Sequence, residues 1–121
     1  MLDELIKARK LISDRNNWTR NTLAHMPDGY PTHPTDKKAC AWCATGAVMK
    51  ATGDSDEQFL HLDTIEIINR LNAKCRDIRA GPGIRYANDV GREPGEKHAT
   101  VLRIFDEVIE DLKEKGNQEC R

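Results

Sequence analysis

Cys43, His98 and Asp89 are of the types that together perform acyl transfer. A thiol near a helix start is eased toward thiolate by the helix dipole. The His98 imidazole would then act as base. The Asp89 carboxylate, or the carboxamide of neighbouring Asn88, would orient it. The same thiol also belongs to a Cys-x-x-Cys pair, Cys40 and Cys43. Zinc takes four ligands, so this pair would need two more from His33, His61, Cys75 and Cys120. No second Cys-x-x-Cys and no His-x-x-x-His supplies them as a unit. A dithiol redox centre would need a surrounding βαβ pattern, and none is present. The thiols therefore read first as small apolar core residues, with no metal and no cofactor expected.

A second group of residues suits an anion. Arg20, Arg85 and Arg92 fall in two loop segments, residues 14–39 and 84–96. The planar guanidinium fork matches phosphate and carboxylate oxygens. Trp18, Tyr30 and Tyr86 lie among these charges, so Trp18, Arg20, Arg85, Tyr86, Asn88 and Arg92 form a candidate ligand-binding set. Asn88-Asp89 also has a structural reading, which is preferred. Such side chains hydrogen-bond backbone groups, and one could cap the central helix near Cys43 or Ala44.

The elements that must position these residues are mostly helical. Leu5, Ala8 and Ile12, with Leu11 beside them, form a one-sided stripe that predicts a helix over residues 3–13, covered by Lys7, Arg9 and Lys10. A polar connection of about 25 residues follows, longer than packed domains usually carry and of a kind that is often functional. Within it Pro27-Asp28-Gly29 predicts a turn, flanked by Thr22–His25 and Tyr30–His33 as a short hairpin whose Pro31 confines it to an edge.

The stretch Ala41-Trp42-Cys43-Ala44-Thr45-Gly46-Ala47-Val48 is rich in small residues and predicts a central helix over 39–51, ended at Gly53. Glycine inside a helix costs up to about 1 kcal/mol against alanine, which makes sense if another backbone passes close to Gly46. Ser55 and Gln58 fit a capping box opening a segment with Phe59, Leu60 and Leu62. Ile65, Ile68 and Leu71 then define a helix face, widened by Ile67, Cys75 and Ile78 and broken at Gly81-Pro82-Gly83. Ile84–Ala87 reads as extended at most, followed by a loop through Gly91, Pro94 and Gly95. Val101, Phe105, Val108 and Leu112 predict a last helix over 97–115, stopped at Gly116.

Length and composition bound the whole. A chain of 121 residues predicts one domain, here 1–116 with a frayed tail at 117–121, large enough to bury a core without staples. Lys plus Arg total 19 against 20 for Asp plus Glu, a formal charge of −1. That balance argues against a general nucleic-acid binder. No apolar run reaches the ~18–20 residues of a membrane span. The acidic Met1-Leu2-Asp3-Glu4 start does not read as a signal peptide, so a cytoplasmic location with reduced cysteines is expected.

Trp42-Cys43-Ala44-Thr45-Gly46-Ala47, then Asn88-Asp89, then His98-Ala99-Thr100-Val101-Leu102 resemble the motifs of the DUF6197-type family, small uncharacterised proteins of bacteria and their phages. Asn17-Trp18-Thr19 matches the family's Trp-containing polar segment after its first helix. The resemblance runs from about Leu5 to Leu112. Ala87 departs from it, standing where the family has Trp, and the loop from Val90 to Lys97 is longer. The resemblance implies a fold and a set of positions and carries no reaction.

The expectation is thus a mainly α, compact domain of four or five helices with a long irregular loop after the first. Binding is favoured over catalysis: a phage or mobile-element accessory protein taking a host protein or a small anionic ligand. The rivals are a Cys-dependent hydrolase or transferase using Cys43 and His98, and a zinc-stabilised small domain.

Overall fold

Helix α1 (Leu2–Leu11) starts with Asp3 and Glu4 at the positive end of its dipole and buries Leu5 and Ala8, with Ile12 just beyond its end. The computed structural model describes residues 1–91 and 93–119, and side chains as far as 115. Arg92 and Cys120 therefore lie outside the described residues. After α1 comes a single 3₁₀ turn (Arg15–Asn17), capped by the Asp14 carboxylate.

The long connection folds back on itself. Strand β1 (Ala24–His25) pairs antiparallel with β2 (Pro31–Thr32) across the expected turn, and on its other side with β3 (Ala41–Trp42). The order β2-β1-β3 leaves Pro31 on an edge, where its missing N–H costs no ladder bond. The hairpin is present, but the central helix starts later than its sequence pattern indicates. Ala41 and Trp42 are drawn into the sheet, with Ala24 opposite Trp42. Helix α2 (Ala44–Thr52) then begins with Cys43 as its N-cap and ends at Gly53 in the left-handed conformation, φ 86°.

Helix α2 is the middle of the molecule. Six consecutive residues, Ala44 to Met49, are buried, so every face of its first turns meets protein. Gly46 allows this. A Cβ added there would lie 1.9 Å from the Leu23 carbonyl oxygen, a backbone atom with little freedom to move. The same carbonyl accepts the Cys43 amide at 3.1 Å.

Helix α3 (Leu62–Asp77) buries Thr64, Ile67, Leu71 and Cys75. This face is turned from the expected one, and Ile65 is 40% exposed. Residues 55–60 form turns instead of a helix, and Phe59 is 78% exposed. The helix start moves to His61 because the buried Asp54 carboxylate caps it from outside. That carboxylate accepts the His61 amide (3.1 Å) and the Thr64 hydroxyl (2.6 Å).

Residues expected to be extended at most form α4 (Ile84–Asp89), whose first amide, that of Ile84, is held by the Asn72 carboxamide at 2.8 Å. Helix α5 (Pro94–Glu119) starts at Pro94, a favoured first-turn position, and runs through Gly116. Its Val101, Phe105 and Val108 stripe is buried as periodicity predicts, with Ile104 and Ile109 beside it. One core draws on all five helices, the mainly α single domain that the pattern implies. Among the described residues no helix is long and apolar enough to cross a membrane.

Candidate functional site

Asn88 holds the two loop segments together. It is 1% exposed and its carboxamide is fully used. Its Oδ1 accepts the Trp18 indole N–H (2.6 Å) and the Ala44 amide (3.0 Å). Its Nδ2 donates to the Thr19 carbonyl (3.0 Å) and to Asp89 Oδ1 (2.7 Å). Asp89 Oδ1 also accepts the amide of Asn21, whose φ is 67°. Arg20 completes the seam. Its guanidinium donates to the carbonyls of Asn88 (3.1 Å), Asp89 (2.7 Å) and Gly91 (2.8 Å), satisfying the otherwise open C-terminus of α4. The capping role read for Asn88 is what the geometry shows. Trp18, Arg20 and Asn88 thus have polar groups engaged within the fold.

The acyl-transfer residues direct their hydrogen bonds elsewhere. Cys43 Sγ accepts the Gly46 amide at 3.2 Å. Burial pushes this thiol up to about 11, the Gly46 hydrogen bond pulls against that, and the nearby Asp89 charge adds to the rise. His98 Nε2 lies 2.7 Å from the Ile12 carbonyl, which only accepts, so this nitrogen carries the proton and donates. Its ring leans on the Trp18 indole, centroids 5.1 Å apart at 39°. No hydrogen bond joins Cys43, His98 and Asp89 to one another among the described residues. Cys40 sits beside β3 with Sγ 4.0 Å from His25 Nδ1. Among the described residues no three His, Cys, Asp or Glu side chains are grouped to hold a metal ion.

A cleft of about 280 Å³ opens beside this seam, lined by Cys43, Glu57, Arg85 and Asp89. Arg85 is ion-paired with Glu57 at 2.7 Å. Two carboxylates against one guanidinium make this cleft a poor seat for an anion. Tyr86 is half-exposed and its ring packs against Gly81, where a Cβ would lie 2.5 Å from Cδ1.

A larger hollow, of about 620 Å³, lies between α1 and the end of α2. Lys7, Lys10 and Leu11 share one face of α1, spaced i, i+3 and i+4. Lys50 and Ala51 face them from the last turn of α2, and Asn17, Cys40 and Trp42 complete the lining. The hollow has an apolar floor and a cationic rim, and none of its lining residues is acidic. Some described cations elsewhere have acidic partners, namely Arg9–Asp106, Arg70–Glu66, Lys74–Asp111, Arg85–Glu57 and Arg103–Glu107, whereas others, such as Lys37 and Lys38, form no ion pair among the described residues. Lys7, Lys10 and Lys50 form no ion pair among the described residues. Glu4, one turn before Lys7, is held by the N-terminal ammonium at 2.9 Å. In the sequence Lys7 and Lys10 read, with Arg9, as the polar face of the first helix. Only the convergence of α1 and α2 distinguishes them, and no local pattern encodes it.

The family model of DUF6197, a family of unknown function, matches residues 1–111. The chain belongs to this family. No curated protein and no solved structure matches it. The DUF6197 match spans α1 through most of α5, so both the Asn88 seam and the lysine groove lie within the family region.

Proposed function

We propose that this DUF6197 protein is a binding module for an anion with an apolar body, seated in the groove of Lys7, Lys10 and Lys50. The observation that carries the reading is three cations without acidic partners around one apolar-floored hollow, in a chain of net charge −1. Its volume falls in the roughly 300–1,000 Å³ range of small-molecule sites. Lysine stems lie along apolar surface while their ammonium heads reach its rim, so one hollow can take both parts of an amphipathic acid. Of the residues singled out as ligand-binding, Tyr86 and Arg85 remain exposed, and Arg85 lines the smaller cleft, where Glu57 and Asp89 offset it. Catalysis by Cys43, His98 and Asp89 draws less support, because a thiol near 11 carries almost no thiolate at neutral pH. The setting that fits is the cytoplasm of a bacterial host, where Cys40, Cys43 and Cys75 stay reduced. We extend the reading to an accessory role of the phage or mobile-element kind, which the family resemblance suggests.

Fluorescence titration with anilinonaphthalene sulfonate, against uncharged phenylnaphthylamine, tests this. The anion binds the native protein, and Lys10→Glu with Lys50→Glu weakens it at least about tenfold, or ~1.4 kcal/mol. Equal binding of the uncharged probe, or indifference to both reversals, would overturn the reading.

A further inference from the structure

Resting on the anion-binding reading, we infer that the groove's ligand class is a nucleoside polyphosphate: phosphates on Lys7, Lys10 and Lys50, base on the floor of Leu11, Trp42 and Ala51. The type of cation is the first reason. All three are lysines, although the chain has arginines on neighbouring surfaces, such as Arg9 on α1 itself. An arginine fork selects a single planar carboxylate or one phosphate face, whereas an ammonium is a point charge with three rotatable donors. Three point charges on flexible stems suit anionic oxygens spread along a short tetrahedral chain.

Placement is the second reason. Lys7 and Lys10 are separated by about 4.5 Å of helix rise along one wall, and Lys50 reaches in from the other. The three lysines thus stand on two walls of the groove, with Lys7 and Lys10 one helical turn apart on one of them. A polyphosphate distributes three or four negative charges over such a length, whereas a lone carboxylate or sulfonate engages one head and leaves two.

The floor supplies the third reason. Leu11, Trp42 and Ala51 offer apolar surface for a flat heterocycle. The exposed carboxamide of Asn17, at the edge of the same hollow, is its one neutral side chain with both a donor and an acceptor, the complement of a base edge or sugar hydroxyl. With no carboxylate in the lining, any divalent cation would arrive with the phosphates and not be held by the protein.

Calorimetric titration of the full chain, carrying Cys120→Ser, with adenosine, AMP, ADP, ATP and inorganic tripolyphosphate tests the class. Affinity should rise from AMP to ATP, and adenosine should not bind measurably. Tripolyphosphate should bind at least about tenfold more weakly than ATP, or ~1.4 kcal/mol, because it lacks the base. Location is read at Cys40, the partly exposed thiol in the groove. Saturating ATP should slow its alkylation by iodoacetamide several-fold, while the buried Cys43 stays slow throughout. Lys10→Glu should abolish both the binding and the protection with helicity unchanged by circular dichroism. Equal affinity for tripolyphosphate and ATP would overturn the base-on-floor arrangement. Anilinonaphthalene sulfonate that binds but is not displaced by ATP would overturn the nucleotide class and leave the anion-binding reading standing. Failure of both ligands would overturn both.

Discussion

Asn88 shows how much one small polar side chain can organise. A buried carboxamide is tolerated only when its donors and acceptors are matched, and here four partners from three segments match them. Asn88→Ala would leave the Trp18 indole N–H and the Ala44 amide without partners in the interior. Stranded buried donors cost about 1–3 kcal/mol each, so a loss of roughly 3 kcal/mol is expected. In thermal unfolding this corresponds to a fall of roughly 10 °C for a chain of this size. A change within about 2 °C would mean that the seam is held by other contacts. The Asn-Asp pair was recognisable in the sequence as a backbone binder because those residue types do that chemistry locally. Its second partner, the Trp18 indole, was not, since nothing in the sequence states that positions 18 and 88 meet.

The elements divide by whether their signal is local. The α1 and α5 stripes, the Pro27-Asp28-Gly29 hairpin turn and the Gly53 stop are written in period and turn chemistry, and they hold. The start of α2, the turns at 55–60 and the helix α4 depend on partners outside the segment itself: the β1 strand, the Asp54 carboxylate and the Asn72 carboxamide. The α3 start is the clearest such case. Burial alone pushes the Asp54 carboxyl up, but the Thr64 hydroxyl, the His61 amide and the His61 imidazole outweigh it and hold it below its ordinary value. A carboxyl depressed in the folded state stabilises most above its unfolded pKa, and that contribution fades as pH falls through the folded one. Asp54→Asn should therefore destabilise by about 1–2 kcal/mol at neutral pH. The gap between variant and parent in urea midpoint should narrow as pH drops below about 4. A gap that stays constant with pH would show that the cap does not depend on its charge.

On the scale of the whole molecule, the groove exists because α1 packs across α2 and sets two polar faces opposite each other. Each face by itself is ordinary helix surface. A near-zero net charge gives no hint of a local excess, and lysines at ordinary helical spacing carry no mark of a site, whereas arginines among loop aromatics do. The folded chain reverses their standing: Arg20 closes a backbone seam and Arg85 pairs with Glu57, while the lysines have no acidic partner among the described residues. Surface lysines are often simply solvated, so what sets these apart is the shared apolar floor of Leu11, Trp42 and Ala51. The most direct measurement is a nitrogen–proton correlation spectrum recorded during titration with anilinonaphthalene sulfonate. The account predicts shifts concentrated at Lys7, Lys10, Asn17, Cys40 and Lys50, with Arg85 and Tyr86 unmoved. Shifts centred on Arg85 and Tyr86, or none at saturating probe, would contradict it.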